Sequence, residues 1–125
     1  MIKTLLLIGS GGFLGSISRF LVSKLMQNNF PSSFPYGTFL VNIAGCFFIG
    51  LVYSISDRGS FLNPGWKMFL AVGFCGGFTT FSTFANENLL MLRDGDFYHF
   101  ALYTGLSIFL GIAATFAGVL IPKIL

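Results

Sequence analysis

The sequence predicts an all-α integral membrane protein with four spanning helices, and three observations predict it. Hydrophobic residues make up 54% of the chain and charged residues only 9%, where a soluble domain carries about 25% charged. Four segments provide the roughly 20 mostly apolar residues that a bilayer core about 30 Å thick requires. Turn-forming residues separate them: Asn28-Asn29-Phe30-Pro31-Ser32-Ser33, Asp57-Arg58-Gly59-Ser60 and Arg93-Asp94-Gly95-Asp96. The whole chain, 1–125, reads as a single transmembrane domain.

The first segment, 3–24, begins with one lysine and an apolar run, as a signal peptide does. The pattern outlasts an h-region, so a retained helix is expected. The second segment is 37–55, the third 65–92 and the fourth 98–121. Tyr36, Trp66 and Tyr98 stand at segment ends, where amphipathic rings anchor to headgroups.

The third segment is too long. As one continuous helix it would run about 42 Å at 1.5 Å per residue, against a core of about 30 Å. Steep tilting is one answer and a central break at Gly76-Gly77 is the other; the glycines favour the break. It would fall inside Gly73-Phe-Cys-Gly-Gly-Phe-Thr-Thr-Phe-Ser-Thr-Phe84, which gathers glycines and hydroxyls in an apolar setting. Unsatisfied backbone groups in hydrocarbon cost several kcal/mol each, so a break survives only within protein or beside a water-filled cavity. Ion and substrate sites near the bilayer midplane are built this way.

An even number of spans puts both termini on one side. Lys3, Arg58, Lys67 and Lys123 flank that side, and Arg19, Lys24 and Arg93 the other. So near a balance gives the positive-inside rule little to read, and insertion both ways up is expected, a fixed topology being the simpler alternative. Four short helices leave little room to enclose a pore. An antiparallel homodimer about a two-fold axis in the membrane plane is the simplest closed assembly. Gly11 with Gly15, Gly12 with Ser16, and Ala114 with Gly118 are small-residue pairs suited to helix contact.

Other classes are disfavoured. A net charge of +3 is too small and dispersed for nucleic-acid binding. Cys46 and Cys75 lie in apolar segments as packing residues, with no disulfide or metal spacing. No metal cluster, phosphate-binding loop or nucleophile–base pair suggests an enzyme.

Several residues remain as candidates for chemistry. Asn42 brings two N–H donors and an acceptor into the second span; a helix–helix hydrogen bond, worth about 0.6 kcal/mol in membranes, is the alternative. Phe81 and Phe84 share a helical face and could present positive ring edges to an anion, or simply pack. Thr79, Thr80, Ser82 and Thr83 could donate to an anion, satisfy freed carbonyls or back-bond to their own helix. Tyr103 and Ser107, with Thr104 beside them, form a polar stripe that Gly111 continues without a side-chain donor. Arg19 and Glu87 are the deepest ionisable residues. Arg19 either snorkels or draws anions to a vestibule. Glu87 is either a wet vestibule residue or a proton-coupled group. His99 is expected at the interface.

Along its full length the chain resembles the Fluc (CrcB-type) fluoride channels. The motifs that carry the resemblance are Gly11-Gly-Phe-Leu-Gly-Ser-Ile-Ser-Arg19, Gly37-Thr-Phe-Leu-Val-Asn42 with Gly45, and the Gly73–Phe84 run. The resemblance implies a dual-topology homodimer with two antiparallel pores in the bacterial plasma membrane, exporting fluoride passively from the cytoplasm. By the family pattern Asn42, Phe81 and Phe84 would line the pathway, with Tyr103 and Ser107 in a polar track and Thr80 and Thr83 nearby. Gly76 and Thr79 would hold a structural sodium ion through backbone carbonyls. Arg19 and Glu87 would stand at the vestibule. Gly111 departs from members with a serine there, which leaves one hydroxyl of the track in question. A small dual-topology, proton-coupled secondary transporter is the alternative. An exporter of that kind would want a carboxylate in its first span, and this chain has none there.

Overall fold

The computed structural model describes residues 1–58 and 63–124; Gly59 and Ser60 of the second expected connector lie outside them. Helices are the regular structure of the described residues, which contain no strand. Four segments are long and apolar enough to cross a membrane: Ile2–Asn29, Tyr36–Asp57, Pro64–Arg93 and Phe97–Ile124.

Helix α1 spans Ile2–Asn29 and α2 spans Tyr36–Asp57. Pro35 immediately precedes α2, where its missing N–H costs nothing. The third segment is composite. Helix α3, Pro64–Lys67, starts with Pro64 at its first turn and with the Asn63 side chain accepting from the Trp66 N–H at 2.9 Å. Met68–Cys75 then winds as a π-helix, and Gly76–Phe78 returns to a short helix, α4. Thr79 (φ −87°, ψ 157°) and Thr80 (φ −151°, ψ 121°) are extended. Helix α5, Phe81–Arg93, starts again after them. The sequence placed the interruption at Gly76-Gly77, but Gly76 is helical (φ −62°, ψ −37°) and both glycines belong to α4. Glycine weakens a helix without ending it. Here the Thr80 hydroxyl caps a new helix by accepting from the Thr83 N–H at 3.2 Å.

Helix α6, Phe97–Ile124, joins α5 through a tight corner. Gly95 has φ 74°. Its N–H donates to Leu92 O at 3.2 Å, and the Asp96 N–H to Met91 O at 2.9 Å. This is the paired 5→2 and 6→1 closure in which glycine takes the left-handed position. Asp96 then caps α6, its carboxylate accepting from the His99 N–H at 3.2 Å. The His99 ring also reaches Asp96 at 2.8 Å, and this hydrogen bond holds the Asp96 carboxyl below the ordinary carboxylate range.

Backbone-close packing joins the helices in two pairs. Helix α1 lies on the third segment: a Cβ on Gly15 would meet the Phe78 amide nitrogen at 2.9 Å, and one on Gly77 would meet Gly12 O at 2.6 Å. Helix α2 lies on α6: a Cβ on Gly118 would meet Leu51 N at 2.9 Å, and Ser54 Oγ donates to Val119 O at 2.8 Å. Gly11, Gly15 and Gly118, read from the sequence as suited to helix contact, thus meet helices of the same chain. The small residues let backbones approach, which supplies van der Waals contact where lipid offers no hydrophobic drive.

Candidate functional site

Asn42, on α2, faces the extended residues. Its Oδ1 accepts from the Thr80 N–H at 2.8 Å, and its Nδ2 donates to Thr80 O at 3.1 Å. One amide thereby satisfies both main-chain groups of a residue outside any helix. Left unmet in hydrocarbon, each would cost several kcal/mol, far more than the roughly 0.6 kcal/mol of an ordinary interhelical hydrogen bond. The diversion has a consequence for Gly76, whose carbonyl would otherwise accept the Thr80 N–H. The Thr83 N–H goes likewise to Thr80 Oγ1 in place of the Thr79 carbonyl. The Thr79 hydroxyl back-bonds to Cys75 O at 2.8 Å, and its methyl fills the space a Cβ on Gly45 would need.

A cavity of about 400 Å³ opens beside these residues. Asn42, Gly76, Thr79, Thr80, Phe81, Phe84 and Ser107 line it. Cys46 and Cys75 line it too, where the sequence reading gave them packing alone. The Phe81 and Phe84 rings are 5.7 Å apart at 41°. Phe81 is 79% exposed on the single chain. Phe84 is half-buried and packs on Tyr103 with ring centroids 5.0 Å apart. The Ser107 hydroxyl is a buried side-chain group with no hydrogen-bond partner among the described residues. Gly111 leaves no side chain beyond it; a Cβ there would meet Cys46 Sγ at 3.5 Å.

A second cavity, about 450 Å³, holds Arg19, Thr38, Thr83 and Glu87 and reaches Asp94 and Asp96. Tyr103, with no exposed surface, donates its hydroxyl to Glu87 Oε1 at 2.8 Å, and Thr38 donates to Oε2 at 2.9 Å. Glu87 therefore ties α2, α5 and α6 together. The next residue of each helix repeats the link, Thr104 donating to Asn88 Oδ1 at 3.0 Å. The sequence put Tyr103 with Ser107, but the Tyr103 hydroxyl meets Glu87 while Ser107 faces the other cavity. Thr38 was missed. Its signal was available: it precedes Asn42 by four residues on one face of α2.

The fold and the two cavities define a small multi-pass helical membrane protein whose polar groups converge where its third segment is extended. Residues 6–119 match the family described as CrcB-like protein, Camphor Resistance (CrcB). The chain is 50% identical over 121 residues to the "Fluoride-specific ion channel FluC" of Leptospira interrogans serogroup Icterohaemorrhagiae serovar copenhageni, covering 97% of this chain and 95% of that protein. It is 46% identical over 123 residues to the protein of that name from Campylobacter jejuni subsp. jejuni serotype O:23/36, covering 98% and 100%. It is 43% identical over 121 residues to that of Flavobacterium psychrophilum, covering 97% and 98%. The chain belongs to the CrcB-like family.

Proposed function

We propose that this chain is a fluoride channel and not an enzyme. It would conduct the anion passively out of the bacterial cytoplasm, as one subunit of an antiparallel homodimer in the plasma membrane. The single observation that carries the reading is the donor set of the 400 Å³ cavity: the Asn42 amide, the Phe81 and Phe84 rings, and the buried, unpartnered Ser107 hydroxyl. A small anion that sheds water needs such donors, and hydroxyls, amide N–H groups and ring edges provide them with no fixed counter-charge that would hold it. The names of the relatives supply fluoride itself.

The homodimer rests on what one chain leaves open. Gly76 and Phe81 border the cavity and are exposed, and the near-balanced flanking charges permit both orientations. The extended Thr79–Thr80 step is read as a break in the third span, lined by a cavity as hydrocarbon demands. The Gly76 and Thr79 carbonyls suit the sodium ion that the family pattern implies, since Asn42 and Thr80 Oγ1 take the N–H groups that would have met them. A monovalent cation would supply positive charge to those two oxygens and leave the side-chain donors to the anion. Arg19 and Glu87 would flank the approach.

Purified protein in liposomes tests the reading. Fluoride should leave loaded vesicles on addition of an ionophore for the counter-cation, at the same rate with or without a proton gradient. Efflux that requires the proton gradient would favour the coupled transporter, and no efflux would reject both.

A further inference from the structure

Arg19 is turned toward the main chain. Its Nε donates to Gly77 O at 3.0 Å. In an unbroken helix that carbonyl would accept the Phe81 N–H, but the extended Thr79 and Thr80 carry Phe81 away. The approach of α1 makes the bond possible. Gly12, Ser16 and Arg19 share one face of α1, and a Cβ on Gly77 would meet Gly12 O at 2.6 Å and Ser16 Oγ at 3.1 Å. The guanidinium also borders the larger cavity with Glu87, yet the described residues show no ion pair between them. A positive charge at the carbonyl end of a helix is favourable, and a freed carbonyl in hydrocarbon demands a donor.

We infer that Arg19 is a positioning residue: its Nε–H pins the end of α4 through the Gly77 carbonyl, and so sets where Thr79, Thr80 and the two phenylalanines stand. This deepens the fluoride-channel reading and rests on it for the flux measurement alone. The pin assigns the N–H, and not the net charge, as the group that matters. It complements Asn42 of α2, which holds both main-chain groups of Thr80.

Two substitutions separate donor from charge. Glutamine carries its amide nitrogen at the same number of bonds from Cα as Nε, so Arg19→Gln keeps an N–H there and loses the charge. Arg19→Lys keeps the charge but puts a methylene at that point. Full-length variants in liposomes would be read two ways: initial fluoride efflux, and amide hydrogen exchange over residues 77–84. Arg19→Lys should slow efflux and speed exchange by about tenfold or more, as expected for losing a charge-assisted hydrogen bond. Arg19→Gln should stay within about threefold of the parent in both, because a neutral N–H still donates to the Gly77 carbonyl. The reverse order, with the Gln deficit fading at high ionic strength and exchange unchanged, would make Arg19 an anion attractor and overturn the inference. Parent-like exchange in both variants would overturn it too. If Arg19→Lys fails to fold while Arg19→Gln folds with parent-like exchange, the donor is again the essential group. A parent that passes no fluoride would reject the channel reading, and the exchange comparison would still decide the pin.

Discussion

Asn42 and Thr80 are joined by two hydrogen bonds of opposite sense, 2.8 Å into Oδ1 and 3.1 Å out of Nδ2. An aspartate can accept from the Thr80 N–H but cannot donate to its carbonyl. Asn42→Asp would set a carboxylate oxygen against that carbonyl, at a cost of about 1–3 kcal/mol for the unmet group. It would also place negative charge beside a proposed anion path. Fluoride efflux should fall at least about tenfold, as the lost bond alone predicts. Parent-like efflux from a folded Asn42→Asp protein would deny the amide both roles.

The two phenylalanines should separate in stability and agree in function. Phe84 packs on Tyr103 and the buried Phe34–Met91 cluster, while Phe81 is 79% exposed on the chain. Phe84→Ile should destabilise the protein by about 1–1.5 kcal/mol, and Phe81→Ile by less than about 0.5 kcal/mol if no second chain packs on it. Both remove the ring quadrupole, so both should slow efflux markedly. Thermal unfolding in detergent and liposome flux measure the two effects. If both variants conduct as the parent does, the rings are packing only.

Gly45 and Gly76 should respond differently to alanine. At Gly45 the new methyl would collide with the Thr79 methyl, so Gly45→Ala should cost about 1–3 kcal/mol by overpacking. Gly76 has ordinary helical angles and open space around it. Gly76→Ala should leave the chain folded, and any large loss must come from a body outside the chain. Chemical cross-linking of Gly76→Ala checks this: lost dimer with retained helicity is expected. An intact, conducting dimer would mean that no second copy approaches Gly76. Thr79→Val keeps the methyl contact and loses only the back-bond to Cys75, so it should be mild.

Acid should weaken the α5–α6 corner. The Asp96 carboxyl is held low by the His99 hydrogen bond, so the folded state favours its ionised form. Its contribution is complete above the unfolded pKa of about 3.9 and disappears as pH falls through the lower folded value. Asp96→Asn should therefore remove that acid-dependent loss. Unfolding midpoints of both proteins between about pH 5 and pH 2 measure it; parallel pH curves would contradict the assignment.

Orientation is open to charge engineering. Added lysines near Met1 or Lys123 should favour one insertion, and lysines near Lys24 or Arg93 the other. Each fixed form alone should be inactive and the two together active. Full efflux from one fixed form would exclude the antiparallel dimer.

Much of the fold was legible because apolar length is a strong signal. The expected segments fall within the four observed ones and err chiefly at their ends. The reading of α1 stopped at Lys24, for example, whereas the helix runs on to Asn29: an emerging helix can be polar. The position of the extended residues was not legible from glycine alone. It depends on the Asn42 amide and the Thr80 hydroxyl, which act only once α2 lies beside the third segment. The π-helical Met68–Cys75 run left no sequence signal. At the candidate site, polar residues in apolar surroundings singled out Asn42, Glu87 and Ser107. The partners of Asn42 and Glu87, namely Thr80 for the first and Thr38 and Tyr103 for the second, required tertiary contact to be assigned, and Ser107 has none among the described residues.

The corner at Gly95 and Asp96 has a mechanical consequence. Helix α5 has no helical continuity with α4, because Thr79 and Thr80 are extended. At its far end the turn that closes α5 also opens α6, and Tyr103 of α6 grips Glu87 and Phe84 along its length. Helix α5 is thus a rod bolted to the fourth segment and jointed to the third. Phe81 and Phe84 ride on that rod, so α6 sets its tilt while Asn42 and the pinned end of α4 fix the point from which it starts.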